Sequence, residues 1–340
     1  MRVDFVNNYS MTRARELWQA GVYPAQHLWG VDALEAAGVD VHYVPFGSLP
    51  ALAAASVRTR LVLGDLSQQR ELWRSRRARG VCYAADQSSL KGLSMLRRVG
   101  LWRRPVVAVV HHPIRPGGSA AVAIRGVDRA VCLSSRVAGE LMTRFARTQA
   151  ETPVLPWGPD LAYAGYRSTG EELVVSCGKT NRDIATLLTA LHRTGLPAAV
   201  YSLGGHRTDP ASRVEIVSNP TQFEYADVIS NLQRASIVAI PIQDTERLSG
   251  LTELNDGLAL GKPIVMTRTA YIDVDIEAVG CGIWVDRGDA DGWERALRDL
   301  AADPARRHEM GAAGRRYAES SWNAELFGSG LLQILAEVAT

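Results

Sequence analysis

Two doubly wound α/β domains, each built on a parallel sheet, are what the sequence predicts. Three observations carry that expectation. The chain has 340 residues, more than one domain usually takes. Short valine-rich runs alternate with helical stretches along the whole length, as in sheets whose strands are buried on both faces. The stretch TPVLPWGPD, residues 152–160, sets three prolines and a glycine between the halves.

The elements follow in order. RVDFV opens the chain as a strand and lacks the apolar core of a signal peptide. QHLWGVDALEAAG is apolar at helical spacing and closed by Gly38. VDVHYVPF, LVLGD, GVCYAAD, PVVAVVHH and RAVCLSS read as strands. After the proline-rich break come EELVVSCG, the helix NRDIATLLTALHRTG, AAVYSLGG, the helix around EYADVISNLQRAS, IVAIPI, a helix within residues 246–261, PIVMT and CGIWVD. Two helices end the chain. The expected domains are 1–156 and 157–322, with 323–340 returning to the first.

Composition narrows the function. The chain is 46% hydrophobic and 22% charged, as ordinary globular proteins are, and a net charge of +2 gives no global field for nucleic acid. No run is long enough to span a membrane, so a cytoplasmic protein is expected. Cys82, Cys132, Cys177 and Cys281 stand apart, without the spacing of a zinc site or redox pair. GxGxxG and GxxxxGK[ST] are both absent, which argues against a nicotinamide enzyme and a P-loop kinase. Of 38 basic residues only Lys91, Lys179 and Lys262 are lysine, and the last two fall in motifs discussed next.

Ligands of doubly wound sheets sit beyond the carboxyl ends of strands, so the loops there are the candidates. After EELVVSC comes Gly178-Lys179-Thr180-Asn181-Arg182-Asp183, leading into a helix. A glycine lets a ligand approach the backbone, a helix start offers free N–H groups, and two cations flank it: a diphosphate site. The competing reading is two solvated cations beside an acidic first turn. In residues 246–265, Ser249 or Thr252 can cap a helix, and Ser249, Gly250, Leu251 and Thr252 again offer amides. Glu253 and Asp256 share one face, where a carboxylate can accept two bonds from a vicinal diol such as ribose. A dipole-favoured acidic first turn explains Glu253 equally well and Asp256 less well.

LPWGPD, SCGKTNRD, ASIVAIPI, DGLALGKPIV, GCGIWVDRGDADGWERAL and ARRHEMGAAGRRYAESSW together resemble the retaining glycosyltransferases of GT-B fold, close to family 4, the group 1 glycosyl transferases. The likeness covers most of residues 154–322; the N-terminal half is similar in architecture only. The resemblance implies two Rossmann-like domains facing a cleft, with Trp322 and the final helix crossing back to the first. It implies a bacterial biosynthetic enzyme that moves a hexose-type sugar from a nucleotide sugar to an acceptor hydroxyl with retention. No metal or other cofactor is implied. UDP-sugar is the first donor expected, with GDP- and dTDP-sugars as alternatives. Lys179 and Arg182 take the diphosphate positions and Asp256 the ribose position, where the family usually has glutamate. The family's further glutamate falls on Leu248, which leaves Glu246 or Glu253 to contact the sugar. His111, at the end of PVVAVV, takes the place of a histidine facing the sugar, and the alternative is a loop pair with His112 in which one ring packs under Pro113.

In NNYSMTRARELWQAGVYPAQHLWG, asparagine permits a tight left-handed turn after the first strand. Tyr9, Trp18, Tyr23, His27 and Trp29 give this segment an aromatic lining for an acceptor, with His112 beside it; for Leu28 and Trp29 the competing reading is the buried face of a helix. The acceptor class is open among natural product, lipid and glycan. QQRELWRSRRARG and LRRVGLWRRP set arginines around Trp73 and Trp102, suiting an anionic acceptor or peripheral contact with the inner membrane face, against the plainer reading of a solvated helix face. Two other functions compete: a sugar-nucleotide epimerase or hydrolase of the same fold, and a non-catalytic sugar-nucleotide-binding protein, which Leu248 keeps open.

Overall fold

A computed structural model describes residues 1–49, 51–52, 63–202, 204–209, 211–218 and 224–339. Leu61 and Val62 of the expected strand LVLGD, and Leu203 of AAVYSLGG, lie outside the described residues. The chain forms two compact units: Met1–Ala20, Ala25–Trp157 and Ala324–Thr340 in the first, Gly21–Pro24 and Gly158–Asn323 in the second. The short piece 21–24 thus goes with the second unit, whereas the expected boundary puts it in the first.

The first unit holds strands β1 (Arg2–Val6), β2 (Asp40–Tyr43), β3 (Val81–Ala84), β4 (Val106–Val110) and β5 (Arg129–Cys132), all parallel in the order β2-β1-β3-β4-β5. Its helices are α1 (Met11–Gln19), α2 (Val31–Ala36), α3 (Leu66–Arg74), α4 (Lys91–Arg98), α5 (Gly118–Ile124), α6 (Ser135–Phe145) and the returning α12 (Ala324–Ala339). β4 is VVAVV and buried throughout, as a strand covered on both faces must be. α12 packs on α2 and β3, with Phe327 and Leu331 buried against Gly30 at the start of α2.

The expected helix QHLWGVDALEAAG is broken in two. A 3-10 turn, Ala25–Leu28, stops at Trp29 (φ 59°) and Gly30 (φ 76°), and α2 begins after them. Tertiary contacts outweigh helical periodicity here: the Trp29 carbonyl accepts the buried Tyr83 hydroxyl at 2.9 Å, and the Trp29 indole donates to Tyr9 at 2.9 Å. Leu28 and Trp29 are buried, but not as a helix face. Asn7 and Asn8 also differ from expectation. Neither is left-handed; the Asn7 carboxamide oxygen accepts the Asn8 amide at 2.8 Å instead.

The second unit holds β6 (Leu173–Ser176), β7 (Ala198–Tyr201), β8 (Val214–Val217), β9 (Ala235–Ile240), β10 (Ile264–Thr267) and β11 (Gly282–Val285), parallel in the order β11-β10-β9-β6-β7-β8. Helices α7 (Ile184–Thr194), α8 (Tyr225–Arg234), α9 (Leu251–Ala259), α10 (Ala290–Ala302) and α11 (Pro304–Ser321) complete it. Leu187, Leu191, Val200, Ile237, Val265, Trp293 and Leu297 lie in its core. The chain moves outward from β6 to β8, then crosses to β9 on the other side of β6. That reversal between β6 and β9 is the topological switch point, where loops diverge and leave a crevice.

Trp322 does not leave with the last helix. It is buried in the second unit, its indole donating to Asn255 at 2.9 Å, and the chain passes to the first unit only at α12. The GAAG run of α11 serves packing: Gly311 lies against Gly261, and Gly314 against Leu258 and Cys281.

Candidate functional site

The loops after β6 and β9 meet at the switch point through one residue. Asn181 adopts the left-handed conformation (φ 57°), and its carboxamide donates to the Asp244 carbonyl at 2.9 Å and to Ser249 Oγ at 2.8 Å. Its own oxygen accepts the Asp244 amide at 2.8 Å. Three bonds from one side chain pin the Gly178–Asp183 loop to the start of α9. No sequence motif singles out Asn181, although asparagine at a loop tip is the residue type that tolerates this geometry.

The two helices at this crevice differ at their amino ends. At α7 the Asp183 carboxylate accepts the Thr186 amide at 3.2 Å and the Thr186 hydroxyl at 2.7 Å, so the helix start is closed by its own cap. At α9 the N-cap is Gly250 (φ 83°), with no side-chain cap. Neither Ser249 nor Thr252 caps it, contrary to expectation: Ser249 is engaged by Asn181. Glycine is required twice at position 250, for its φ and because a Cβ would press on Ile240 and Met266. The amides of Leu251 and Thr252 therefore begin a helix that no side chain closes, the arrangement that suits an anion.

The cations separate. Lys179 is exposed, in the loop that Asn181 pins to this helix start. The Arg182 guanidinium pairs with Glu253, Nε to Oε1 at 3.1 Å, and Nη1 bonds the Thr180 carbonyl at 2.6 Å. Both partners of the pair are nearly buried, with side chains 7% and 10% exposed. A Cβ on Gly178 would overlap this pair, so the ion pair fills the space that the sequence suggested for a ligand. Glu253 thus holds Arg182, while Glu246 is exposed and Leu248 buried.

Asp256 is fully buried in α9. One of its oxygens, Oδ1, accepts the hydroxyls of Tyr166 and Tyr225, each at 2.8 Å, and the two hydroxyls are 3.1 Å apart. Tyr163 packs edge-on to Tyr166, and Tyr23 to Tyr225, both at 5.1 Å. Burial, and then the neighbouring Asp256, hold the Tyr225 phenol well above the usual range. Its proton stays in place and is donated. No local motif marks Tyr166 and Tyr225, which lie far from Asp256 along the chain.

Lys262 serves the scaffold. It is buried, donates to Ser168 Oγ at 2.6 Å and to the carbonyls of Gln233 and Ala235, and burial pulls its ammonium down to about 8.

In the first unit, His111 follows β4 with Nε2 2.7 Å from the Ala85 carbonyl. A carbonyl only accepts, so Nε2 donates a proton to it, and Nδ1 is the nitrogen left for a ligand. Gln87 Oε1 accepts the amides of His111 at 2.8 Å and His112 at 3.2 Å and fixes the loop, another residue the sequence did not single out. The His111 ring packs against Trp29 at 4.8 Å, whereas His112 is exposed. Tyr9 donates to the His27 carbonyl at 3.0 Å, and Trp29 stacks on Trp157 at 4.8 Å. Of the expected aromatic lining, Tyr9, His27 and Trp29 come together, while Tyr23 joins Tyr225 in the second unit.

Burial pulls the His27 imidazole down to about 4. In the unfolded chain it titrates near 6.5. Between these values only the unfolded state takes up the proton, so stability falls as pH falls through that window. Urea unfolding of wild type and His27→Asn at pH 7 and pH 4.5 is expected to show wild type losing about 2 kcal/mol more than the variant. Equal losses would place the titrating group elsewhere.

Trp102 is 1% exposed, stacked on Trp73 at 6.3 Å, and Arg104 is buried against Asp4, so this part of the Arg/Trp segments belongs to the core rather than to a surface. Among the described residues no cluster of His, Cys, Asp or Glu is arranged to hold a metal ion, and no helix is long and apolar enough to cross a membrane.

No protein-family model matches the chain. It is 32% identical over 134 residues to a GDP-mannose-dependent monoacylated alpha-(1-6)-phosphatidylinositol monomannoside mannosyltransferase of Corynebacterium glutamicum. That match spans 38% of this chain and about a third (34%) of the relative. Among solved structures, sucrose-phosphate synthase of Thermosynechococcus elongatus superposes with a TM-score of 0.70 at 15% identity, over 99% of this chain and 98% of that one. HepE of Anabaena, solved with UDP, gives 0.67 at 14% identity over 99% and 100%. The fold is therefore the two-domain GT-B fold, and the likeness carried by the C-terminal motifs is borne out at that level.

Proposed function

We propose that the chain is a glycosyltransferase that takes a hexose-type sugar from a nucleoside-diphosphate sugar and attaches it, with retention and without a metal, to an acceptor hydroxyl. The observation that carries this reading is the start of α9: an uncapped helix end at the switch point, to which Asn181 pins the loop that holds exposed Lys179. Departure of a sugar leaves negative charge on the diphosphate. Fixed amides and a nearby ammonium stabilise that charge without reorganising as it develops.

In this reading the amides of Gly250, Leu251 and Thr252 and the Lys179 ammonium hold the diphosphate. Arg182 acts through Glu253 and the loop carbonyls to shape the cradle, with Gly178 leaving room for that pair and Ser249 anchoring the loop. Asp256 holds the ribose. His111 offers Nδ1 to the sugar, Glu246 is the remaining carboxylate for it, and Tyr9, His27 and His112 take the acceptor. The relative's GDP-mannose and the neighbour's UDP support a nucleotide sugar, and the relative's lipid-linked substrate favours a lipid or glycan acceptor.

A thermal-shift screen against UDP, GDP, dTDP and their sugar conjugates tests the donor site. One nucleotide should raise the melting temperature of wild type, by mass action on the native state, and leave Lys179→Ala unmoved. The melting temperature of Lys179→Ala without nucleotide is the baseline from which its own shift is read. A wild type unmoved by every nucleotide at millimolar concentration would overturn the reading. Turnover of the stabilising conjugate then separates an enzyme from a binding protein.

A further inference from the structure

We infer that the amino edge of the first unit's sheet docks on an anionic lipid surface. Residues 70–79, 97–104, 125–129 and 144–151 all lie in the ends and turns that precede β3, β4 or β5, or run beside the start of β5. They hold thirteen arginines and three carboxylates, a basic edge on a chain whose net charge is only +2. His111 and the loop it belongs to follow β4, at the opposite edge.

The edge carries a hollow of about 580 Å³ lined by Arg97, Arg98, Arg103, Arg125, Arg129 and Arg147. Their roles differ. Arg97 is spent on Asp128 and on the Arg103 carbonyl at 2.8 Å. Arg147 reaches the carbonyls of Ile124, Val127, Asp128 and Glu151. These two build the wall. Arg98 and Arg103 are exposed, and their side chains make no hydrogen bond or ion pair among the described residues. Two guanidiniums left over beside a basic hollow fit a phosphate.

The second feature is apolar. Val99 and Leu101 sit between those arginines, 65% and 64% exposed, the most exposed large hydrophobic side chains among the described residues. Trp73, 38% exposed, lies on the same edge through its stack on Trp102. A soluble anion would need the arginines alone. A bilayer with acidic headgroups uses both parts, phosphates meeting Arg98 and Arg103 while Val99 and Leu101 enter the acyl boundary. Trp102, buried next to Leu101, anchors the base of the protruding loop and stacks on Trp73.

Co-sedimentation of the whole chain with phosphatidylcholine vesicles, and with phosphatidylcholine and phosphatidylglycerol in about equal parts, is the test. Wild type should partition to the acidic vesicles and not to the neutral ones. Arg98→Ala and Arg103→Ala should each weaken this about fivefold. Val99→Asp with Leu101→Asp should weaken it at least about tenfold; all four positions are exposed, so unaltered melting curves are expected. Absence of wild-type binding overturns the proposal, as does binding that the two apolar substitutions leave unchanged, which would be adsorption by charge alone. The nucleotide-induced thermal shift should be the same in all these variants, so failure here is distinguishable from failure of the donor reading.

Discussion

Glu253→Ala should destabilise the second unit by about 3–5 kcal/mol, the cost of stripping a nearly buried charge of its partner. Arg182 and Glu253 are almost out of water, and Gly178 leaves no side chain between them and the backbone. With Glu253 gone, the guanidinium keeps the Thr180 and Asn181 carbonyls but no counter-charge. Urea unfolding measures the loss. Glu253→Gln, which preserves the volume and one acceptor, should lose clearly less. A double-mutant cycle with Arg182→Ala isolates the coupling: the double variant should be less destabilised than the sum of the singles. A cost below about 1 kcal/mol for Glu253→Ala would mean that the pair behaves as a solvated surface bridge. The experiment also bears on function. The family resemblance implies Glu246 or Glu253 for the sugar contact; the structure commits one Glu253 oxygen to Arg182, so lost turnover in Glu253→Gln with nearly native stability would be needed to keep Glu253 in a direct role.

Much of the second unit was legible because its signals are local. Valine-rich runs bounded by turn residues gave the strands, and Lys179 and Gly250 stand where a strand end meets a helix start, the place that strand order makes a crevice. What stayed hidden depends on partners distant along the chain. Nothing near Arg182 announces Glu253, nothing near Asp256 announces Tyr166 or Tyr225, and Trp29 breaks an otherwise helical pattern because Tyr83 and Tyr9 bond to it. Lys262 marks the same limit from the other side. Its place in a motif drew attention, yet its ammonium points into carbonyls of the scaffold.

Asp256→Ala should cost about 3 kcal/mol and remove nucleotide binding, whereas Tyr166→Phe and Tyr225→Phe should strengthen nucleotide binding, about tenfold when combined. The opposite signs follow from one atom. Asp256 Oδ1 accepts two phenol hydroxyls that stand 3.1 Å apart, an arrangement much like the neighbouring hydroxyls of a ribose meeting the same carboxylate. If Asp256 holds the ribose, the tyrosines occupy the acceptor that the nucleotide needs, and binding must first turn them away. Alanine leaves both phenols without that acceptor inside the protein, which accounts for the stability cost. Phenylalanine removes the competing donors and keeps the ring packing with Tyr163 and Tyr23. Calorimetric titration of the stabilising nucleotide into the single and double variants reads the effect directly, and the matching deoxyribose nucleotide is the control, since it lacks one of the two hydroxyls. Affinities unchanged by both phenylalanines, together with an Asp256→Asn variant that binds as wild type does, would show that the tyrosines and Asp256 form a closed structural cluster and that the ribose is held elsewhere.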